Sequence, residues 1–361
     1  MDINKKDTLM AQGAAILMMV AGHLFAKKGI DVYGVPLIWI KPDVPLVYYL
    51  GFLSGITLPF YCYCTGYALF TQFGQEDLKT FYRKMCFRLI KFLIHFWLIC
   101  VLFSVVGFFF DIYREVPGNW SKFLGNFFML EHTYNGAWWF APIYIIFSLI
   151  SPLFIKMTKK LDSRVLFLIF SIIFCIYYLC NMKHLFEVAE SEYYWKGFFL
   201  RKGSDFWRLL FLYVVGMIFA KEQIVYKIRE RLSKKERKST NLLILILTVL
   251  LSIAACVIEK TILMYFFSVL YFLFFHLWAK SEKTEKFFCF WGKHSTNIWL
   301  IHMFFYLYIF KNFVFILKEP LLSYVFMLFL CVGCSYGINF ILKMLWKSKV
   351  LSRVARWGSR V

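Results

Sequence analysis

Long apolar runs separated by short polar stretches recur along the whole chain, and ten of them are long enough to cross a bilayer as helices. They lie near 8–26, 46–70, 88–110, 137–156, 163–181, 205–220, 240–257, 261–279, 294–311 and 321–345. The pattern predicts an all-α polytopic integral membrane protein, because helices satisfy their own backbone groups in hydrocarbon. The first run begins close to Met1, has no convincing cleavage site and carries polar residues at helical spacing. It therefore reads as a retained span and not as a removed signal peptide. No internal repeat, low-complexity tract or linker interrupts the pattern, so 1–345 reads as one membrane domain and 346–361 as a cytoplasmic tail.

Composition strengthens this picture. The 361 residues are 61% hydrophobic and 22% aromatic, with 44 Phe, more than a soluble core could absorb. Charge then orients the spans. About two thirds of the 42 Lys and Arg fall on the side that holds both termini, which places those termini in the cytoplasm by the positive-inside rule. The segment 221–238 is strongly basic, and so is the tail WKSKVLSRVARWGSRV. As a helix, that tail puts Trp346, Val350, Val354 and Trp357 on one side and Lys349, Arg353, Arg356 and Arg360 on another, as in a helix lying on an anionic lipid bilayer. Attraction to the membrane surface accounts for most of the net charge of +21, and with no soluble basic domain nucleic acid is not an expected partner. All ten Cys lie in or beside apolar runs without metal-site spacing, and read as packing residues.

Polar groups inside the spans are the candidates for chemistry, since they are costly there and normally face a protein interior or a cavity. Gln12 and His23 are eleven residues apart, three turns plus about 20°, so both lie on one face of the first helix, separated by roughly 16 Å. His302 sits mid-span and needs a polar partner, which Ser295 or Asn297 could provide, although Ser295 could equally cap a helix. His95 and Arg208 are intramembrane polar groups without a motif around them. Arg83, Lys84, Arg88 and Lys91 gather at the inner start of the third span, either as an ordinary basic collar or as holders of a diphosphate. Two outer loops are long enough to be functional: Lys27 to Val44, with Gly29, Gly34, Pro36 and Pro42, and Asp111 to Gly136. The second brings Glu131 and His132 ahead of Trp138 and Trp139; the tryptophans suit either sugar stacking or an interfacial belt.

Four segments in this order resemble the acyltransferase-3 family of integral membrane acyltransferases. QGAAILMMVAGH (Gln12 to His23) is similar to the family's opening helix, where a basic residue and a His are separated by ten positions. LPFYCYCTGYALF (Leu58 to Phe70) is similar to its Ser-Gly-Tyr run, with Thr65 in place of Ser. GAWWFAPIYIIFSLISPLF (Gly136 to Phe154) resembles its Trp-Phe-rich fourth span, and GKHSTNIWLIHMFF (Gly292 to Phe305) its late Gly-Lys-x-Ser segment leading to a Tyr-Leu-Ile-His-like run. The resemblance implies transfer of an acetyl or other short acyl group from acyl-CoA, with acetyl-CoA foremost, to a hydroxyl of a surface carbohydrate or glycolipid. It also implies a bacterial cytoplasmic membrane and no bound cofactor. On it, His23 is the general base. Gln12, Arg88, Lys91 and Ser295 lie on the donor side. Glu131, His132, Trp138, Trp139 and His302 receive the acceptor or orient the base. Gln12 departs from the family's Arg or Lys, and an amide supplies no positive charge: donor binding then falls to other groups, the donor differs, or activity is weak. A glycan exporter or transporter is the alternative, though no matching pair of broken segments supports it.

Overall fold

The computed structural model describes residues 3–26, 36, 38–183, 194–233, 236–309, 311–314, 316 and 318–359. Gly29 and Gly34 of the first outer loop, Lys234, Lys235 and Arg360 lie outside the described residues.

The chain is all-α, apart from one two-stranded pair among the described residues. Helix α1 (Lys5–Phe25) precedes strands β1 (Trp39–Lys41) and β2 (Val44–Pro45), antiparallel with Trp39 opposite Pro45 and Lys41 opposite Val44. Helix α2 (Leu46–Leu53) passes through a 3-10 turn, Ser54–Ile56, into α3 (Thr57–Phe73), and α4 (Leu78–Phe109) and α5 (Trp120–Phe127) follow. A second 3-10 turn, Gly136–Trp139, leads into α6 (Phe140–Lys160), then α7 (Ser163–Met182), α8 (Tyr194–Glu222), α9 (Ile224–Leu232), α10 (Arg237–Ile258), α11 (Thr261–Leu277) and α12 (Glu282–Phe304). The chain ends with a π-helical turn, Phe305–Ile309, then α13 (Lys311–Val314), α14 (Pro320–Trp346) and α15 (Lys349–Ser359).

Short polar residues set several helix starts. Asp77 accepts the Thr80 N–H at 2.9 Å, Asn119 the Lys122 N–H at 2.9 Å, and Asp162 the Arg164 N–H at 2.8 Å. Those donated N–H groups hold the Asp77 and Asp162 carboxyls below the usual carboxylate range. Glu319 accepts from the Leu322 N–H at 2.7 Å, with Pro320 in the first turn, where its missing donor costs nothing.

Among the described residues eight helical stretches are long and apolar enough to cross a membrane. They coincide with the first seven predicted spans and the last. The predicted eighth is α11, 17 residues long. The predicted ninth falls on the second half of α12 and the π-helical turn; charged residues fill the start of α12, and buried His294, Ser295, Asn297 and His302 lower the apolarity of the rest. The third predicted span falls on α4, which begins at Leu78 and not near 88, so Arg83 to Lys91 all lie on this one helix.

The chain forms two compact units. The first comprises Met1–Ala15, Gly55–Glu76 and Ile150–Cys289, and the second Ile16–Ser54, Asp77–Leu149 and Phe290–Val361. Because each is assembled from separated segments, no linker marks the division in the sequence. In the first unit α3 and α8 cross at Gly66 and Gly216. A Cβ on Gly66 would run into the Tyr213 carbonyl oxygen, and one on Gly216 would sit 2.9 Å from the Tyr67 amide nitrogen. Arg208 pairs with Asp205 at 2.7 Å in the same unit. The second unit is built on buried aromatics: Phe103 stacks on Phe304 at 4.2 Å, and Trp138 packs against Phe96 at 4.6 Å. Phe92 likewise stacks on Trp299 at 6.1 Å, and from the His95–Asn297 contact to the Phe103–Phe304 stack the partners move toward the C-terminus on both α4 and α12, so the two helices run parallel.

Candidate functional site

The second unit fixes the end of α1 through two glycines. A Cβ on Gly22 would collide with the Ser54 side chain, and one on Gly51 would lie 2.6 Å from the Ala26 amide nitrogen. Backbone thus meets backbone on both sides of His23, and Tyr324 adds a hydroxyl donated to the Leu17 carbonyl at 2.9 Å. His23 itself is half-buried, with its ring centroid 4.8 Å from that of His302 and the planes inclined at 49°.

His302 is fully buried, and its protonation pattern follows from its partners. Its Nδ1 lies 3.0 Å from both the Ile298 and Trp299 carbonyl oxygens. Carbonyls only accept, so Nδ1 carries the hydrogen and Nε2 is a bare lone pair. That Nε2 is buried without a hydrogen-bond partner. Leaving such an acceptor unpaired costs about 1–3 kcal/mol. His276, in the first unit, shows the same bond to the carbonyl four residues back, 2.8 Å from Phe272, and the same unpaired Nε2. The tautomer lock is therefore a local property of histidine in an apolar helix. What sets His302 apart is the second imidazole beside it.

Side chains from the 3-10 turn hold α12 at this level. Asn135 Nδ2 donates to the Leu300 carbonyl at 2.9 Å, and its Oδ1 caps the turn at the Ala137 N–H, also 2.9 Å. Trp138 Nε1 donates to the same Leu300 carbonyl at 3.1 Å, while Trp299 Nε1 returns a bond to the Ala137 carbonyl at 3.1 Å. Immediately beyond, the helix widens into its π-helical turn, a departure found frequently at functional sites.

Deeper along α12 lies a polar network. Asn297 Nδ2 is within bonding distance of Ser335 Oγ (2.6 Å), the Ser335 carbonyl (3.3 Å) and Asn339 Oδ1 (2.9 Å), and Asn297 Oδ1 meets His95 Nε2. His294 Nδ1 joins the network at Ser335 Oγ, 2.7 Å away. Ser295 turns its hydroxyl to the Gly292 carbonyl at 2.8 Å. Lys91 places its ammonium 4.2 Å from the Phe87 ring centroid and 5.8 Å from that of Trp346; Arg88, half-buried, is one turn before it on α4.

The second unit brings His23 and His302 together and contains every other predicted site residue except Gln12. Gln12 belongs to the first unit, where its carbonyl accepts the Tyr61 hydroxyl at 3.3 Å. Glu131 lies over Gly125 of α5, whose added Cβ would be 2.9 Å from the carboxyl carbon, and His132 is exposed. Trp138 is 1% exposed and packs in the core, whereas Trp139 is half-buried. The roles of Ser335, Asn339, His294 and Asn135 escaped the sequence reading. The first two sit inside an apolar run, and their partners lie 38 and 42 residues away.

A family model described as an acyltransferase domain, the third of that type, matches residues 10–340. No curated protein and no solved structure matches the chain.

Proposed function

The chain belongs to the acyltransferase-3 family and is a multi-pass membrane acyltransferase, and from that premise we propose that it moves a short acyl group from acyl-CoA to a hydroxyl of a surface glycan or glycolipid. The observation that carries the reading is the contact of His23 with His302, one imidazole half-buried and the other locked with its bare nitrogen inward. In this reading His23 is the general base. Turning its ring lets one N–H donate to His302 Nε2, which pairs the orphan acceptor and leaves the other His23 nitrogen free to accept a proton. The acceptor hydroxyl oxygen attacks the thioester carbonyl carbon as His23 removes its proton. The new C–O bond forms, the C–S bond breaks, and the proton passes from His23 to the departing thiolate. Arg88 and Lys91 suit the anionic head of the donor. The outer loop with Glu131, His132 and Trp139 suits the acceptor. Gln12 supplies no cation, so in this reading charge on the donor side comes from α4. The strongly basic inner segments agree with a bacterial cytoplasmic membrane. The family does not favour the exporter reading.

The test is CoA release from acetyl-CoA by protein purified in detergent, with radiolabelled acetyl followed into the glycan and glycolipid fractions of matching membranes. Transfer that His23→Ala lowers by about 10²–10⁴-fold is expected for a lost general base. Undiminished transfer by that variant would falsify the assignment.

A further inference from the structure

We infer that His95 positions the acyl donor by accepting a hydrogen bond from an amide N–H of a pantetheine-type arm, an inference that rests on the acyl-CoA reading above. The argument begins at Asn297. Its amide nitrogen faces the Ser335 backbone carbonyl, which can only accept, so the nitrogen is on that side and Oδ1 is the atom turned to His95. Oδ1 accepts, so His95 Nε2 carries the hydrogen and His95 Nδ1 is a lone pair. Ser335 and Asn339 hold Asn297 in place, and Asn297 in turn fixes both the tautomer and the ring plane of His95. Among the described residues Nδ1 has no protein partner, and His95 is only half-buried, which leaves this nitrogen for a ligand that donates.

The neighbours define which ligand. Along α4, residues 88, 91 and 95 share one face, with His95 about 6 Å beyond Lys91 and about 10 Å beyond Arg88. The parallel α12 carries Asn297 at the His95 level and His302 five residues on, about 7.5 Å farther. A molecule with its anionic head at Arg88 and Lys91 and its reactive end at His23 and His302 thus spans about 18 Å and passes His95 on the way. An uncharged arm bearing amide N–H groups between a phosphorylated head and a thioester has that chemistry, and His95 Nδ1 is the acceptor it meets.

Binding by the purified full-length protein in detergent tests this, with acetyl-CoA and adenosine 3′,5′-bisphosphate as probes; the second has an anionic head without the arm. His95→Gln keeps a donor to Asn297 Oδ1 and loses the acceptor at Nδ1. Its acetyl-CoA dissociation constant rises about 3- to 10-fold, the worth of one neutral hydrogen bond, while bisphosphate binding and the thermal midpoint stay unchanged. Lys91→Ala weakens both probes. In the wild-type protein acetyl-CoA binds more tightly than the bisphosphate. Unchanged acetyl-CoA binding by His95→Gln, equal weakening of both probes with a lower thermal midpoint, or equal wild-type affinities would each overturn the inference and leave the acyltransferase reading standing. Wild-type protein that binds neither probe overturns the donor reading itself, and this inference with it.

Discussion

Replacing His302 by Asn separates orientation from packing. The Asn amide nitrogen occupies roughly the place of His302 Nδ1 and can still donate to the Ile298 and Trp299 carbonyls, both 3.0 Å away in the native protein. The Nε2 lone pair beside His23 disappears, and the Asn carbonyl oxygen, closer to the backbone, does not take its place. The loss of rate is bounded on both sides. One hydrogen bond is worth about 0.5–1.5 kcal/mol, up to about tenfold, and the whole contribution of a general base is about 10²–10⁴-fold. An orienting partner should fall between, so kcat is expected to drop about 10- to 100-fold, or about 1.4–2.7 kcal/mol. Stability should change little or fall modestly, because the Asn carbonyl oxygen replaces Nε2 as the buried acceptor and the smaller side chain leaves a small void. The assay is steady-state acetyl transfer with acetyl-CoA, alongside a thermal unfolding curve in the same detergent. A variant with native kcat, or one whose rate falls only in step with its thermal midpoint, would refute the orienting role.

Further outcomes follow from other contacts. Gly51→Ala presses a methyl group to 2.6 Å from the Ala26 nitrogen and displaces the end of α1, so transfer should fall about 10²-fold for a shift near 1 Å while the protein stays folded in size-exclusion chromatography. Gly22→Ala meets chiefly the Ser54 side chain, with the Gly51 carbonyl oxygen 3.3 Å away, so Ser54→Gly added to it should restore much of the lost rate, measured as a double-mutant cycle. Gly66→Ala drives a methyl group into the Tyr213 carbonyl and should destabilise the first unit by about 1–3 kcal/mol, read as a lower thermal midpoint. Lys280, in the loop after α11, has its pKa lowered to about 8 chiefly by burial. Below pH 8 both folded and unfolded chains carry that proton. Between pH 8 and the ordinary lysine value of 10.5 the folded chain releases it first, so stability should rise with pH across that window. Lys280→Met should flatten this rise in thermal unfolding measured from pH 7 to 10.

The number and order of the membrane helices were largely readable from apolar length, because a bilayer permits little else. α7, α10 and α14 announce themselves as long apolar runs with few charges. The first three turns of α4 did not, since Lys79, Thr80, Arg83 and Lys84 interrupt the apolar residues of 78–87 and its helicity depends on the Asp77 cap and on packing. His23 and His302 were each visible as a costly polar group in an apolar run, yet their meeting was not. Nothing in the 278 intervening residues encodes a ring contact, and the glycines that place His23 signal only that some backbone comes close. The Asn297 network shows the same limit. Ser335 and Asn339 are small polar residues on a helix that otherwise reads as lipid-facing, and only the register between α12 and α14 reveals that they anchor His95.

α4 is 32 residues long, about 48 Å of continuous helix, against a hydrocarbon core of about 30 Å. The surplus has to be taken up by tilt, by protrusion or by local thickening of the lipid. Each changes the depth at which Arg88, Lys91 and His95 meet the aqueous boundary. The acyl-chain length of the surrounding lipids is thus a variable in its own right, and rates measured in short-chain detergents and in long-chain vesicles will report different immersion depths of one helix.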